Sequence, residues 1–353
     1  MERHIALMCQ YQKQWAEVEA LVCSRSGRTQ VMDRAGTRVT EVGEWGRFQN
    51  APVSPMFPWH MRRRKADVLV VHVPNPTAEL GWLLSRPRGR LVVRYHSDVV
   101  RQASAMKVYG PIQSRFLRHA DLILPTSTPY LHTSTTLQAV KERCRVVPLG
   151  IVPEEFQSPD PALVAECHAE YGEQYVLFSG MHRYYKGLAY LVEAAKKIKA
   201  RVVIAGDGPE RESIMAQARS LGVDIAFPGR LSHESLVAHL HGCAVFAFPS
   251  VERSEAFGIS IMEAHTCGKP VVATCLGTGV EYINAHGKTG LNVPPKDSAA
   301  FADAVNQLLR KEEMRESMGE YARDRIDKEF RAERVARDEF ELYQRVVECK
   351  NLS

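Results

Sequence analysis

The chain has 353 residues, 45% apolar and 25% charged, enough for two domains and against wholesale disorder or a disulfide-stapled miniprotein. No run nears the ~20 apolar residues of a membrane-spanning helix, and the Met1-Glu2-Arg3-His4 start is not that of a signal peptide. Eight scattered cysteines without a C-x-x-C pair argue against a zinc site or disulfide framework and suit a reducing cytoplasm.

Short Val/Ile/Leu runs alternate with helical patterns along the chain, the signature of parallel sheets with crossover helices. The chain opens in a helix, Glu2–Gln12, with no strand before it. Strands are predicted at Val18–Val22, Arg38–Val42, Val68–Val73, Leu91–Tyr95, Leu122–Leu124 and Val146–Pro148, with helices at Phe57–Lys65, Thr77–Leu84 and Pro111–His119. A Pro- and acid-rich stretch at Gly150–Asp160 marks a boundary. Beyond it, strands are predicted at Tyr175–Phe178, Val202–Ala205, Asp224–Phe227, Ala244–Phe248, Pro270–Ala273 and Gly290–Val293. Between them lie helices at Leu188–Lys199, Glu210–Leu221, His233–His241, Gly258–Cys267 and Val280–Asn284. Three charged helices follow, Ser298–Leu309, Lys311–Asp327 and Arg331–Val347. The expected organisation is α/β: two doubly wound, Rossmann-like domains, 1–155 and 156–330, the first lacking its opening strand, then a C-terminal helix and tail, 331–353.

Charge divides the same way. Residues 1–150 carry 22 Lys and Arg against 11 Asp and Glu, the remainder 24 against 30. The basic half predicts an anionic partner. No zinc-finger or RNA-recognition pattern accompanies it, which disfavours nucleic acid. The clusters Arg62–Lys65 and Arg86, Arg88 and Arg90 predict salt-sensitive attachment to an anionic membrane surface. The chain is therefore placed in the cytoplasm, peripherally on the inner face of the membrane.

Open parallel sheets bind ligands outside the carboxyl ends of their strands. The richest such loop is Pro249–Gly258, which runs straight into a helix. Gly258 at the helix entry exposes backbone N–H groups that suit a phosphate. Glu255 and Glu263 suit sugar or ribose hydroxyls, since a carboxylate accepts two hydroxyl bonds; a capping loop with an outward Glu263 explains the spacing as well. Gly277-Thr278-Gly279 is a second candidate anion nest. The loop from Gly180 brings Arg183 and Lys186, cations for a diphosphate leaving group. His96-Ser97-Asp98 follows a strand of the first half at the same kind of edge. There is no nucleophile elbow, H-E-x-x-H, Walker loop or kinase signature, and no metal site.

The run S-V-E-R-S-E-A-F-G-I-S-I-M-E-A-H-T-C-G-K-P, then G-T-G-V-E-Y-I and H-G-K-T-G-L-N-V-P-P, resembles retaining glycosyltransferases of family four. A-G-D-G-P at 205–209, H-S-D at 96–98 and V-V-P-L-G-I at 146–151 match as well. The resemblance implies the GT-B fold, two Rossmann-like domains facing a cleft, and a nucleotide-diphosphate sugar donor, GDP-mannose or a UDP-hexose. It implies no cofactor and no metal. On it, Glu255 holds the donor sugar, Lys186 neutralises the diphosphate and His96 contacts the sugar, these three forming the catalytic set. Gly180 and Arg183 belong to the phosphate loop, backbone groups of Phe257, Gly258 and Ile259 meet sugar and phosphates, and Glu263 binds the ribose. Gly229 and Arg230 border the base, and Thr278 and Gly279 complete the donor site. The wording E-R-S-E-A-F-G and Y-Y-K-G resembles members that build bacterial surface polysaccharides, often mannosyl- or hexosyltransferases, acting on saccharide or lipid-linked acceptors. Two departures stand out: the family's phosphate-loop arginine falls on Met181, and its first strand with a Gly-Gly turn is absent. They leave two other readings: a truncated or degenerate nucleotide-sugar-binding protein with little turnover, and a nucleotide-sugar epimerase or hydrolase.

Overall fold

In the computed structural model, which describes residues 2–48, 51–99 and 103–351, the chain divides into two units. One runs to Gly150 and takes in the chain again from Ala332; the other is Ile151–Arg331.

The first unit begins with α1 (Glu2–Gln12) and β1 (Glu19–Ser24), followed by β2 (Gln30–Arg34) and β3 (Thr37–Gly43). A small hairpin, β4 (Gly46–Phe48) and β5 (Ala51–Val53), leads to α2 (Phe57–Arg62). Then come β6 (Val68–Val73), α3 (Pro76–Ser85), β7 (Arg90–Tyr95), α4 (Ala103–Leu117), β8 (Leu122–Pro125) and two short helices, α5 (Thr128–Thr133) and α6 (Thr135–Gln138). They make two three-stranded sheets, ordered β1-β3-β2 and β6-β7-β8. β1 runs parallel to β3, and β2 returns antiparallel. The β2–β3 turn places Ala35 and Gly36 at positive φ, a conformation Gly36 adopts without cost.

Two sequence expectations fail here for local reasons. Val146–Pro148 is not a strand. The segment runs beside β8, with Val147 N–H donating to the Pro125 carbonyl at 3.0 Å. But the carbonyls of Val147 and Pro148 accept from the Arg94 guanidinium, each at 2.6 Å, and Pro148 has no N–H to pair. The helix expected from Pro111 starts at Ala103 and carries that proline in its interior.

The second unit contains α7 (Pro161–Tyr171), β9 (Tyr175–Ser179), α8 (Leu188–Ala195), β10 (Arg201–Ala205), α9 (Arg211–Leu221), β11 (Ile225–Gly229) and α10 (His233–Gly242). It continues with β12 (Val245–Phe248), α11 (Ile259–Thr266), β13 (Val271–Thr274), α12 (Gly279–Ile283), β14 (Gly290–Val293), α13 (Ser298–Arg310) and α14 (Glu312–Arg325). All six strands are parallel, in the order β11-β10-β9-β12-β13-β14. The strands are apolar along their length because helices cover both faces; Val176, Phe178, Val245 and Ala247 pack with Leu191 of α8 and Val305 and Leu308 of α13. The chain winds outward from β9 in one direction and from β12 in the other, so the crevice between their carboxyl ends is the switch point where such sheets take ligands.

The last helix, α15 (Ala332–Asn351), groups with the first unit, so residues 331–353 are not a separate tail. Val335, Ala336 and Tyr343 share a core with Met8, Val92 and Leu124. Arg94, next to the last residue of β7 and fully buried, pairs with Glu339 of this helix at 3.0 Å. Tyr343 Oη also donates to that carboxylate at 3.1 Å. A charge buried this deeply needs a counter-charge with matched geometry, and α15 supplies Glu339.

Candidate functional site

The second unit gathers its polar residues where β9 and β12 diverge. After β9 the chain passes Gly180 to Lys186 and enters α8 through Gly187, at φ +65°. A side chain at Gly187 would run into the Pro249 carbonyl oxygen, so glycine is what lets the two loops touch. They are also stitched by a backbone bond, Val251 N–H to the Tyr185 carbonyl at 2.8 Å.

Across this seam Lys186 Nζ lies 2.6 Å from Glu255 Oε2, with the two side chains only 12% and 11% exposed. The ammonium also stands 5.0 Å from the Phe248 ring centre, where the ring face favours a cation. Ser250 Oγ donates to the same carboxylate oxygen at 3.3 Å. The Ser250 carbonyl in turn accepts from the Thr274 hydroxyl on β13. Arg253 reaches the Gly277 carbonyl at 2.9 Å, fastening the loop to the turn after β13. Lys186 and Glu255 are thus brought together, by groups that the spacing of the motif does not reveal.

Two helices start at this crevice, α8 at Gly187 and α11 at Gly258. Both glycines are left-handed, and neither helix has a side-chain cap on its first N–H groups. Such ends attract anions. Phe257 is buried beneath this entry while Ile259 is exposed, and Glu263 is half-buried on the second turn of α11.

The second candidate anion nest, Gly277-Thr278-Gly279, is already filled. Gly277 and Thr278 N–H groups donate to the Glu281 carboxylate at 2.6 and 3.2 Å, and Gly279 N–H donates to the Ala256 carbonyl at 2.8 Å. Thr278 and Glu281 form a complete capping box on α12. The Gly277–Gly279 turn therefore presents no open nest, and Thr278 and Gly279 are themselves buried.

Met181 is half exposed at 51%, and Arg183 folds back on it, Nε to Sδ 3.0 Å. Arg183 is thus the cation that stands beside Met181. His182, fully buried, anchors the loop from below: its N–H donates to the Asp207 carbonyl at 2.8 Å and its carbonyl accepts from Glu210 N–H. Further along the same edge the Gly229 carbonyl accepts from Gly206 N–H at 2.6 Å, and Arg230, largely exposed, pairs with Asp207 at 3.4 Å.

His96 belongs to the first unit, at the carboxyl end of β7. Its Nε2 lies 2.9 Å from His72 Nδ1, and the rings stack. Burial holds His96 well below the ordinary histidine range, helped by His72 and Arg94; burial and Arg94 push His72 down to about 3. Both rings are neutral at neutral pH and serve as hydrogen-bonding groups. Asp98 fixes the loop beyond, accepting from Tyr95 Oη at 2.8 Å and Ser134 Oγ at 2.7 Å.

Residues 166–325 match the family described as glycosyl transferases group 1, and residues 1–150 match the glycosyl transferase 4-like domain. The chain is 36% identical over 286 residues to O-antigen chain mannosyltransferase C of Escherichia coli, spanning 81% of this chain and 77% of that protein. This chain belongs to the group 1 glycosyltransferases. It is also 39% identical over 269 residues to the D-rhamnosyltransferase WbpZ of Pseudomonas aeruginosa, spanning 76% of this chain and 71% of the relative. Among solved structures, sucrose-phosphate synthase from Thermosynechococcus elongatus matches with a TM-score of 0.82 at 21% identity, over 98% of this chain and 93% of that one. Anabaena HepE in complex with UDP matches with a TM-score of 0.77 at 17% identity, over 97% and 96%. The fold is GT-B.

In this glycosyltransferase the sequence motif locates the loop, the carboxylate and the lysine. It does not find Ser250, Thr274, Arg253 or His182, which hold them. Serine, threonine and arginine in a loop carry no periodic signal, and a buried histidine looks like a surface one until the strands are paired.

Proposed function

We propose that this glycosyltransferase moves a hexosyl group from GDP-mannose or a UDP-hexose to a saccharide or lipid-linked saccharide acceptor, with retention at the anomeric carbon and without a metal ion. The observation that carries this reading is the Lys186–Glu255 pair standing between two helix N-termini at the switch point. The diphosphate sits on the amides that begin α8 and α11, and Lys186 turns from Glu255 to the phosphates. Arg183 adds a second cation from the same loop. The freed Glu255 carboxylate then accepts hydrogen bonds from donor-sugar hydroxyls, and Glu263 accepts those of the ribose. Gly229 and Arg230 border the base, and His96, a neutral ring, contacts the sugar. In the reaction the bond from the anomeric carbon to the diphosphate breaks, and the acceptor oxygen bonds to that carbon from the face being vacated. The acceptor's proton passes to the departing diphosphate. Fixed donors aimed at developing phosphate charge are what lowers such a barrier. The names of the two relatives, a mannosyltransferase and a rhamnosyltransferase, favour a GDP-linked donor and a polysaccharide product.

The acceptor reading brings a membrane with it. No described helix is long and apolar enough to cross one; the contact in this reading is peripheral, on the cytoplasmic face. The first unit, including α15, holds 26 Lys and Arg against 16 Asp and Glu. Arg64 and Arg90 are drawn into ion pairs with Glu19 and Asp121, and Arg63 and Arg86 lie over Trp59 and Trp82. Exposed Arg62, Lys65 and Arg88 remain, with Trp45 and Leu84 exposed on the same unit. Basic and aromatic groups together suit a headgroup layer.

The test supplies GDP-mannose or UDP-glucose with a lipid-linked saccharide on anionic or neutral vesicles, and follows the anomeric proton by NMR. The expected result is an α-linked product from the α-linked donor, unaffected by EDTA and faster on anionic vesicles. An inverted product, or activity lost to EDTA and restored by Mn²⁺, overturns the mechanism. Equal rates on both vesicle types overturn the membrane contact.

A further inference from the structure

On one face of β6 and β7, Val68, Val70 and Val92 share a core with Met8 of α1 and Val335 of α15. Side chains alternate along a strand, so His72 and Arg94 lie on this same face one step further on, paired with each other in register. There the apolar layer gives way to a polar one. His96 follows at once. Its N–H donates to the Val73 carbonyl at 2.9 Å, which extends the ladder by one bond and brings its ring over that of His72, the centres 5.2 Å apart and the planes 20° from parallel.

The one charge in this layer is engaged elsewhere. Arg94 Nη1 and Nη2 donate to the Val147 and Pro148 carbonyls, and Nε lies 3.0 Å from Glu339 and donates to His4 Nε2 at 3.3 Å. His4 Nε2 is thus an acceptor, and the proton of that ring sits on Nδ1. The His4 ring stands edge-on to His72 and His96, at 5.9 and 5.6 Å. Burial, reinforced by Arg94, holds His4 at about 2 and His72 at about 3, and keeps His96 low as well, so all three rings are neutral at neutral pH. A neutral imidazole has one N–H and one lone pair. The 2.9 Å contact of His72 Nδ1 with His96 Nε2 is therefore a single N–H···N hydrogen bond. It couples the proton positions of the two rings, since the bond made by one nitrogen sets the state of the other.

We propose that His72 is a positioning residue for glycosyl transfer: by engaging His96 Nε2 it holds that ring in one orientation and one tautomer, and Nδ1 is the nitrogen that His96 presents to the donor sugar. The role rests on the proposed contact of His96 with the sugar. His72 itself touches no substrate. A ring free to turn and to exchange tautomers would meet a sugar hydroxyl with the matching group for only part of the time, and fixing it in advance removes that cost from the reaction.

The test uses the full chain and three substitutions. His72→Phe keeps a stacked ring but removes its nitrogens, His72→Asn places an amide where the imidazole Nδ1 stood, and His96→Ala removes the sugar contact. Turnover is measured with GDP-mannose or UDP-glucose and the lipid-linked saccharide, affinity for GDP or UDP by calorimetry, and the ring nitrogens by two-bond ¹H–¹⁵N NMR. His72→Phe is expected to lower kcat/KM about 3- to 10-fold, the worth of one hydrogen bond, with nucleoside diphosphate affinity unchanged. His72→Asn regains most of that loss, and His72→Phe costs nothing more in the His96→Ala background. In the unaltered chain His96 shows one protonated and one bare nitrogen; in His72→Phe its two signals move toward a common average. Normal turnover by His72→Phe beside a slow His96→Ala overturns the role of His72 and leaves the sugar contact standing. A loss that Asn does not rescue, that persists in the His96→Ala background or that leaves the His96 nitrogens unmoved marks His72 as merely structural and also overturns it. Normal turnover by His96→Ala overturns the sugar contact itself, and the role of His72 with it.

Discussion

Replacing Glu255 by Gln separates the two tasks assigned to the Lys186–Glu255 pair. In the unliganded protein the carboxylate neutralises the lysine at 2.6 Å, and both side chains are about nine-tenths covered. An exposed pair is worth ~0.2–1 kcal/mol, and breaking a fully buried one costs ~3–5 kcal/mol. This pair lies between, so the diphosphate gives up about 1–2 kcal/mol to draw Lys186 away. Glu255→Gln removes that competition, and GDP or UDP is expected to bind about 5- to 30-fold more tightly. The same change removes the charged acceptor facing the sugar, and kcat is expected to fall ~10²- to 10³-fold. Calorimetry with the nucleoside diphosphate and steady-state kinetics with the active donor measure the two effects separately. Unchanged kcat refutes the assignment of Glu255. Nucleotide binding that weakens, or does not change, refutes the claim that the carboxylate and the phosphates share Lys186.

Three further outcomes follow from the geometry. Met181→Arg is expected to tighten donor binding about tenfold, a charge-assisted bond to phosphate being worth ~1–3 kcal/mol and Arg183 beside it offsetting part; titration with the nucleoside diphosphate checks it. Glu339→Ala leaves Arg94 buried without its carboxylate and is expected to destabilise the first unit by ~3–5 kcal/mol, read by urea unfolding, whereas the exposed Glu341→Ala should cost under ~0.5 kcal/mol. Burial lowers His72 and His265 to about 3, so the unfolded chain takes up protons near pH 6.5 that the folded chain refuses. Stability is therefore full above pH 6.5 and is lost as pH falls toward 3, by about 1.4 kcal/mol per pH unit for each histidine. Urea midpoints at pH 7.5 and 5.5 measure this, and a flat profile contradicts it.

Much of the architecture is legible in the residues themselves. The strands of the second unit are continuous apolar runs, because a sheet covered on both faces needs no alternation, and their boundaries can be read to within a residue or two. β9, β12 and β14 are examples. The loop carrying Glu255 and the glycine entering α11 are legible for a similar reason. A helix start that must stay open, and a backbone that must pass close to another, each restrict the residue type. What is local, periodic or sterically exclusive is written in the sequence.

Contacts between distant segments are not. Arg94 and Glu339 are 245 positions apart, and neither carries a pattern that marks it as buried. Their pairing, with the apolar core around Val335, Ala336 and Tyr343, joins the last helix to the first unit, where the sequence suggests a tail. The Gly277–Gly279 turn looks like an anion nest, yet its amides are taken by Glu281 and Ala256, a matter of side-chain direction and loop approach. Lys186 and Glu255 are recognisable as a cation and a carboxylate. That they meet at 2.6 Å depends on two loops being drawn together at a sheet's switch point. Periodicity reports how each segment meets its immediate surroundings; only the packed sheet fixes which distant charges must satisfy one another, since burial makes an unpaired charge too costly to keep.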